Sequence, residues 1–261
     1  MNPTALITGA SSGIGKELAA IHAERGGNLV IVARSGDKLN ELKNDLEKQH
    51  SVEVTPIVKD LTKPGAAREV YDEVTAAGIE IDYLINNAGF GGQGKFHERD
   101  WSEDLAMIQL NVIATTALTR FFLPDLVKRN RGKILNVSST ASLLPGPLQA
   151  VYFATKAYVT SFSNALAGEL HDTDITVTAL MPGATETDFA STSGMEKTDL
   201  FSKMATARSV AEDGYEAMLA GKLDVITGVS AGQRLSLAAI PFSPKKMLLT
   251  HIRKMQEVKP S

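Results

Sequence analysis

The chain has 261 residues, 43% of them hydrophobic, so it can fold around one large core, and we predict a single domain spanning 1–261. Its 27 basic and 30 acidic residues give a formal net charge of -3, which provides no basic field for nucleic acid. Cysteine is absent, which excludes disulfides, thiolate catalysis and zinc-thiolate sites.

These bounds favour a small-molecule partner, and we predict no metal site and no nucleic-acid partner. The sequence shows no signal peptide and no uninterrupted apolar run near the ~20 residues that a membrane span needs. We therefore expect a soluble, cytoplasmic protein without a transmembrane segment.

Short β-branched apolar runs alternate with longer helical patterns along the chain. The predicted strands are 5–7, 29–32, 52–58, 83–85, 133–137, 176–180 and 224–227, and the predicted helices include 15–25, 37–49 and 64–77. Strands that alternate with helices need right-handed crossovers, so the pattern predicts a seven-stranded parallel sheet with helices on both faces. Such a doubly wound α/β sheet, the Rossmann fold, binds ligands at the carboxyl ends of its strands.

A glycine-rich turn joins the first strand to the first helix. Its candidate phosphate-binding residues are Gly9, Ser11, Ser12, Gly13, Ile14 and Gly15. Glycine tolerates positive φ and lets a ligand approach the backbone, while free N–H groups at a helix N-terminus favour an anion. The turn departs from the general dinucleotide fingerprint because Leu18 replaces its third glycine, so a tight strand-to-helix connection is the alternative interpretation.

The spacing of Gly9, Gly13 and Gly15 resembles that of the short-chain dehydrogenase/reductase superfamily, in its compact single-domain branch. Further motifs follow in that family's order: Asp60-Leu61, Asn86-Asn87-Ala88-Gly89, Asn111, Ser138-Ser139, Tyr152 to Lys156, and Pro182 to Thr187. The stretch Phe90-Gly91-Gly92, taken with the long carboxyl-terminal tail, resembles a bacterial subgroup of these oxidoreductases. The resemblance implies an enzyme that uses NAD(P) to interconvert a carbonyl and an alcohol.

The end of the second strand indicates which dinucleotide binds. Rossmann proteins that use NAD place an acidic residue about 20 residues beyond the glycine turn, whereas Ala33 stands there in this chain. Arg34 can instead contact the 2′-phosphate of NADP and stack on adenine, so we predict NADP(H). Ser12 stands where many NADP-preferring relatives carry a second basic residue, and an ordinary surface arginine is the alternative interpretation of Arg34.

The resemblance assigns the remaining cofactor contacts. It implies that Asp60 bonds the adenine amino group and that Leu61 lines the adenine pocket. It also implies contacts along the cofactor and near its nicotinamide from Asn87, Ala88, Gly89, Pro182, Gly183, Thr185 and Thr187.

Tyr152 and Lys156 are four residues apart in a predicted helix, 152–170, so their side chains lie on one face, one turn apart. A phenol has an ordinary pKa of about 10, and a nearby ammonium lowers the pKa by stabilising the phenolate. We therefore expect Tyr152 to act as a general acid/base, with its pKa lowered by Lys156.

The resemblance implies three further catalytic roles. Ser139, thirteen residues before Tyr152, is expected to donate a hydrogen bond to the reacting oxygen. Lys156 is also expected to hold the nicotinamide ribose, and Asn111 to anchor a water that relays protons to Lys156. The alternatives are that Ser139 caps a turn and that Asn111 is a satisfied core amide.

Two segments bear on substrate and partners. The family's substrate lid corresponds to 184–207, whose apolar residues are Phe189, Met195, Leu200, Phe201 and Met204, and Phe90, Leu143 and Leu144 could add an apolar wall. The extension 232–261 contains a predicted helix, 245–258, with an apolar stripe of Met247, Leu248, Ile252 and Met255 beside Lys245, Lys246, Arg253 and Lys254. We interpret this helix as docking on the domain or a neighbouring subunit, with peripheral membrane contact as the alternative.

The leading hypothesis is an NADP-dependent carbonyl reductase or alcohol dehydrogenase that acts on a medium-sized hydrophobic ketone or aldehyde. An NAD-dependent alcohol dehydrogenase of the same fold and a non-catalytic NADP-sensing regulator are the alternatives. The family resemblance also implies a homodimer or homotetramer that associates through the helices near Asn111 and Tyr152.

Overall fold

The computed structural model of the chain describes residues 2–187 and 204–257. Its strands are β1 Thr4–Thr8, β2 Asn28–Ala33, β3 Val54–Val58, β4 Tyr83–Asn86, β5 Gly132–Val137, β6 Ile175–Pro182, β7 Thr185–Glu186, β8 Ala205–Thr206 and β9 Asp224–Thr227. Its α-helices are α1 Gly13–Glu24, α2 Gly36–His50, α3 Ala66–Ala76, α4 Trp101–Ile108, α5 Thr115–Arg129, α6 Ala150–Glu169, α7 Ala207–Leu219, α8 Ala231–Ala239 and α9 Lys245–Gln256.

Seven of the strands form one parallel sheet in the order β3-β2-β1-β4-β5-β6-β9. The predicted doubly wound fold is confirmed. Because the order reverses between β1 and β4, a crevice opens at the carboxyl ends of these two strands. Two buried hydrophobic clusters lie against the sheet, one built with α1, α2 and α7 and the other with α3, α5 and α6.

The predicted elements agree with the structure apart from their ends. The helix predicted from residue 64 begins at Ala66, because Pro64 and Gly65 form the preceding turn and Gly65 has a φ of +83°. Pro56 lies in β3, which is an edge strand and therefore tolerates a residue that cannot donate to a neighbour. The pattern did not predict β7, β8 or α8, since two-residue strands and a short exposed helix carry too little periodicity.

Helices α4 and α5 are joined without a break by a π-helical stretch, Gln109–Ala114. The combined helix, Trp101–Arg129, is 29 residues long with a mean hydropathy of 1.3 in its most apolar window, so by length and composition it could cross a membrane. Core helices meet the same criterion, and within the described residues this is the one helix that does so. Its Met107, Leu118 and Phe122 are buried in the clusters of the fold.

Candidate active site

The crevice at the carboxyl edge of the sheet is held together by residues that follow β1 and β4. The Asn87 side-chain amide donates to the Thr8 carbonyl at 2.9 Å, and the backbone N–H groups of Asn87 and Ala88 each donate to Thr8 Oγ1 at 3.0 Å. These bonds hold the segment 86–89 (Asn-Asn-Ala-Gly, NNAG) against the glycine turn. Asn87 and Ala88 therefore lie beside the candidate phosphate-binding residues.

The glycine turn has the geometry that its sequence predicts. Gly9 and Gly13 have φ values of +67° and +53°, a region that residues with a side chain rarely adopt. A Cβ on Gly15 would lie 2.3 Å from the Gly9 carbonyl oxygen and 2.4 Å from Asn87 Nδ2. The Leu18 side chain, which stands where the general fingerprint has its third glycine, is fully buried in the core.

This turn fits an anionic dinucleotide. Ser12 is the N-cap of α1, but its side chain makes no capping bond, and the first turn of α1 contains no acidic residue. The positive end of the helix is therefore open to a phosphate. A Cβ on Gly13 would lie 2.8 Å from Thr187 Cγ2, so the segment that follows β6 crosses close to the turn. Ser11 and Ile14 are partly exposed at the same turn.

Arg34, Asp60 and Leu61 follow the neighbouring strands β2 and β3. Arg34 is exposed and makes no hydrogen bond or ion pair with any residue that the structure describes. Burial raises the pKa of the Asp60 carboxyl, but hydrogen bonds from Thr62 and the charge of Arg34 outweigh it, so the pKa lies below its usual value. Leu61 is a core residue, only 5% exposed.

Three of the four predicted catalytic residues come together at α6. Tyr152 and Lys156 are both buried on this helix, and the Lys156 Nζ lies 5.9 Å from the centre of the Tyr152 ring. Lys156 Nζ donates to the Val137 carbonyl at 2.8 Å, and the Ser139 side chain is hydrogen-bonded to Tyr152. Ser139 Oγ also accepts from the Ala141 N–H at 3.1 Å, so the serine caps a turn as well.

The expected lowering of the Tyr152 pKa is wrong. Burial raises the pKa of Tyr152 to about 12, and the hydrogen bond from Ser139 offsets only part of that effect. Burial also lowers the pKa of Lys156 to about 8, because the ammonium loses its hydration. Near pH 7 both groups are therefore protonated, an arrangement suited to donating a proton.

The fourth predicted residue, Asn111, lies in the π-helical stretch. Its Nδ2 donates to the Phe90 carbonyl and to Thr155 Oγ1, each at 3.0 Å, and its Oδ1 accepts from the Phe90 N–H at 3.2 Å. A Cβ on Gly89 would lie 3.1 Å from Asn111 Oδ1 and 3.2 Å from Lys156 Nζ, so glycine gives both groups room. The water relay stays a prediction, and the bonds made here are those of a satisfied core amide.

Sequence reasoning included Ser138 and Thr155 in the family motifs but did not predict that they hold this constellation in place. Thr155 bonds Asn111 and also donates to the Tyr152 carbonyl at 2.7 Å. Ser138 donates to the Lys156 carbonyl at 2.9 Å, so its hydroxyl supports the helix while that of Ser139 meets Tyr152. Polar residues that follow a strand and lie on a helix were the available signal.

The segment after β6 contains the remaining residues that the sequence predicts to contact the cofactor. The Gly183 N–H donates to the Thr227 carbonyl at 2.9 Å, and Thr185 Oγ1 donates to the Gly183 carbonyl at 3.0 Å. Pro182 ends β6, and β7 pairs in parallel with β8. Four predicted lid residues, Phe189, Met195, Leu200 and Phe201, lie outside the described residues, and Met204 is 41% exposed.

An apolar cluster surrounds Tyr152. Tyr152 packs in one cluster with buried Met107 and Phe153, and with partly buried Phe90 and Leu144. Leu143 is partly buried and does not belong to this cluster. The site thus combines a buried, protonated phenol with an apolar surrounding.

The glycine turn lies where the strand order of the parallel sheet reverses, and a Tyr-x-x-x-Lys pair lies on α6. Together these features are typical of a dinucleotide-dependent oxidoreductase. Residues 3–198 match the short chain dehydrogenase family, and the chain belongs to it. The predicted family and enzyme class are confirmed.

Among relatives, the chain is 36% identical over 193 residues to the very-long-chain 3-oxoacyl-CoA reductase of Mus musculus, covering 71% of this chain and 60% of that protein. A short-chain dehydrogenase from Sphingobium yanoikuyae, solved in complex with NADPH, is similar in structure with a TM-score of 0.82, 31% identity and 98% of each chain covered. The bulky-bulky ketone specific alcohol dehydrogenase from Comamonas testosteroni has a TM-score of 0.79 and 29% identity, covering 98% of this chain and 96% of that one.

Proposed function

We propose that this enzyme interconverts a hydrophobic ketone or aldehyde and its alcohol, with NADP(H) as the redox cofactor. The observation that carries the proposal is the buried Tyr152, hydrogen-bonded to Ser139 and one helical turn from Lys156, inside an apolar cluster. The glycine turn, Arg34 and the segment 182–187 would hold the cofactor, which supplies a hydride to the carbonyl carbon.

The chain's own residues would handle the proton and the developing charge. Tyr152, protonated at neutral pH because burial raises its pKa to about 12, donates its proton to the carbonyl oxygen. Ser139 donates a hydrogen bond to the same oxygen as negative charge develops there. Lys156, held by the Val137 carbonyl, stabilises the resulting phenolate by its charge. In the direction of alcohol oxidation the same groups act in reverse.

The preference for NADP(H) rests on Arg34 and on the missing acid at Ala33. Arg34 is exposed beside the crevice and makes no ion pair with a described residue, so its guanidinium is available to a 2′-phosphate. The similar enzyme from Sphingobium yanoikuyae was solved with NADPH, which supports the same choice.

The apolar surrounding of Tyr152 supports a hydrophobic substrate. The names of two similar proteins, a very-long-chain 3-oxoacyl-CoA reductase and a bulky-bulky ketone specific alcohol dehydrogenase, point in the same direction. The chain spans 60% of the length of the mouse relative, so that protein's substrate is carried over here as a class, a carbonyl on a large apolar chain.

We also propose that the protein is a cytoplasmic homodimer or homotetramer. An apolar recess of about 430 Å³ between α4, the π-helical stretch and α6 is lined by Phe96, Ile108, Val112, Ala150, Val151, Ala154 and Thr155. Trp101, 61% exposed, and Leu105, 47% exposed, lie on the same helix as Ile108 and Val112 at spacings that share one face. A second copy of the chain would bury this surface.

In the extension 232–261, some apolar residues are buried against the domain and others are exposed to solvent. Ile252 of α9 is buried, and Gln93 donates from its side chain to the Gln256 carbonyl, which supports docking on the domain. Phe242 and Met247 are 89% and 64% exposed beside Lys245 and Lys246, so peripheral membrane contact is kept as a second proposal for this segment.

Consumption of NADPH, with NADH in parallel, over aliphatic, aromatic and steroid-like carbonyl compounds tests the function. We expect turnover with NADPH and its loss, by about 100-fold or more, in Tyr152→Phe. Better turnover with NADH would favour the NAD-dependent alternative. Tight NADPH binding without turnover of any carbonyl would favour the regulatory alternative.

A further inference from the structure

The segment 90–94, which follows NNAG, adopts neither helix nor strand, and it borders the apolar cluster of Tyr152. Phe90 is bonded through its backbone to Asn111, because its N–H donates to Asn111 Oδ1 at 3.2 Å and its carbonyl accepts from Asn111 Nδ2 at 3.0 Å. The Phe90 side chain packs in the cluster of Tyr152. The position of this segment therefore decides where Phe90 lies relative to Tyr152.

Arg99, two residues before α4, holds the segment 90–94. Its Nη1 donates to the Gln93 carbonyl at 2.9 Å. A Cβ on Gly92 would lie 2.3 Å from Arg99 Nη2, and a Cβ on Gly94 would lie 3.1 Å from Arg99 Cγ. The glycines thus let the backbone of the segment lie directly on the arginine side chain.

Two carboxylates of α4 fix the guanidinium of Arg99. Its Nε donates to Asp104 Oδ1 at 2.8 Å, and its Nη2 donates to Glu103 Oε2 at 3.3 Å. The side chains of Arg99 and Asp104 are 10% and 2% exposed, so this ion pair is largely removed from water.

A buried ion pair is a poor source of stability, because the desolvation of two charges offsets most of their attraction. Its geometry is well defined, since a planar guanidinium carries its donors in a fixed fork. In Arg99 this fork joins one backbone carbonyl of the segment 90–94 to two carboxylates of α4. The arginine therefore fixes the position of the segment relative to α4.

Both partners of the bonds between Phe90 and Asn111 depend on this connection. Asn111 lies in the π-helical stretch that continues α4 without a break, and Phe90 lies three residues before Gln93. Arg99 thus joins the helix that carries Asn111 to the segment that carries Phe90. The Gly94 N–H, which donates to the Leu148 carbonyl at 2.8 Å, ties the same segment to the loop before α6.

We propose that Arg99 is a positioning residue for the reaction, acting through the bonds between Phe90 and Asn111 to hold the apolar wall beside Tyr152. The inference rests on the proposed function, in which a hydrophobic carbonyl compound binds at this cluster. Without the ion pair the Phe90 ring is less well fixed, so a large apolar substrate binds less tightly. The glycine turn has its own bonds, from Asn87 to Thr8, so cofactor binding should not depend on Arg99.

The test is the double variant Arg99→Leu/Asp104→Leu, which removes both charges and leaves neither unpaired. The measured quantities are kcat and KM for 1-phenylheptan-1-one, a large apolar ketone, with NADPH, and the Kd of NADPH by fluorescence. We expect KM to rise about tenfold or more and the Kd of NADPH to stay within about twofold of the wild-type value. An unchanged KM, or equal weakening of ketone and NADPH, would overturn the proposal.

Thermal unfolding separates positioning from a structural role. The double variant should unfold at the wild-type Tm or above it, because apolar residues replace a buried ion pair. A fall in Tm that accompanies the rise in KM would assign Arg99 a structural role and overturn the proposal. If the double variant does not fold, Arg99→Lys replaces it, since lysine keeps the charge but not the fork, and the same rise in KM is expected.

The chain offers a matched control in Arg129, whose side chain donates to the Ile81 carbonyl and pairs with Glu80. Ile81 precedes β4, at the edge of the sheet opposite the candidate site. Arg129→Leu/Glu80→Leu should leave KM unchanged, and a rise equal to that of Arg99→Leu/Asp104→Leu would mean that the effect is not specific to Arg99.

Hydrogen exchange of the segment 90–94 gives a readout that does not need turnover. In the ligand-free double variant we expect its amides to exchange about tenfold faster or more, because the bond to Gln93 is lost. If the wild-type protein does not reduce the ketone, the proposed function fails for this class of substrate. The exchange rates then decide the inference about Arg99, and equal rates in the wild-type protein and the double variant would contradict it.

Discussion

Arg34 is an exposed residue directly after β2, and Ala33 beside it cannot accept a hydrogen bond from a ribose hydroxyl. We expect Arg34→Ala to weaken NADPH binding about 10- to 100-fold, which corresponds to the loss of charge-assisted hydrogen bonds to a phosphate. Binding of NADH should change little, because it lacks the 2′-phosphate.

Titration of the protein with each dinucleotide, followed by nicotinamide fluorescence, measures both affinities. Arg120→Ala is the matched control, since Arg120 is an exposed arginine on α5. Equal weakening of NADPH and NADH by Arg34→Ala would contradict the assignment of this arginine to the 2′-phosphate.

The pKa values of Tyr152 and Lys156 predict the pH dependence of carbonyl reduction. Lys156, with a pKa lowered to about 8, is charged below that pH and loses its charge above it, while Tyr152 keeps its proton to about pH 12. We expect kcat/KM for reduction to be level below pH 8 and to fall above it, as the phenolate loses the charge that stabilises it.

Initial rates between pH 6 and 10 check this expectation. In Lys156→Arg the guanidinium stays charged over the whole range. Any activity that remains in this variant should therefore not decline near pH 8 as it does in the wild-type protein. A wild-type profile without a decline near pH 8 would show that Lys156 does not titrate in the active form.

At the scale of elements, His22 connects α1 to α7 and to the residue before β1. Its Nε2 lies 3.0 Å from the Pro3 carbonyl and its Nδ1 lies 2.7 Å from the Tyr215 hydroxyl, so Nε2 carries the hydrogen and Nδ1 accepts. The ring is fully buried, and this burial lowers the pKa of His22 below 6.5 despite the backbone bonds.

This lowered pKa predicts acid sensitivity. The unfolded chain takes up a proton at His22 below about pH 6.5 before the folded protein does, so stability present above that pH is lost as the pH falls. The loss from this residue is at most about 1.4 kcal/mol per pH unit. Urea unfolding at pH 7.5 and 5.5 measures it, and His22→Leu should reduce the pH dependence even if it lowers stability overall.

His251→Leu, at an exposed histidine of α9, serves as the control and should keep the wild-type pH dependence. If His22→Leu shows the same slope as the wild-type protein, other groups cause the acid sensitivity.

At the scale of the whole molecule, the exposed apolar face of α4 and α6 predicts self-association. Leu105→Glu and Ala154→Glu each place a charge on this face, and we expect the double variant to shift the protein to a smaller species. Sedimentation at several protein concentrations gives the masses, and Leu235→Glu, on an exposed leucine of α8, is the control. If the double variant has the same mass as the wild-type protein, then either the interface lies elsewhere or the wild-type protein is itself a monomer, and the proposed interface is wrong.

The alternation of strands and helices and the order of the motifs could be predicted from the sequence. Each depends on local patterns. Hydrophobic period distinguishes strand from helix, and the glycine spacing indicates a turn in which Gly9 and Gly13 adopt positive φ and Gly15 has no room for a Cβ. The four-residue spacing of Tyr152 and Lys156 likewise fixes their relative position once a helix is assumed.

The burial and hydrogen bonding of the side chains at the candidate site were decided only by the tertiary structure. The sequence predicted a lowered pKa for Tyr152, but burial by elements distant in the chain raises the pKa, because desolvation of the phenolate outweighs the hydrogen bond from Ser139. The π-helical turn that aims Asn111 at Phe90 and the buried ion pair of Arg99 and Asp104 were equally invisible in the pattern.

The sequence by itself thus determined the fold and the family motifs, since helical and strand periods and glycine spacing are properties of neighbours in the chain, and it predicts the reacting residues from the same motifs. The tertiary structure alone decided which charges are desolvated and which polar groups are satisfied, since burial and hydrogen bonding depend on residues brought together from many elements.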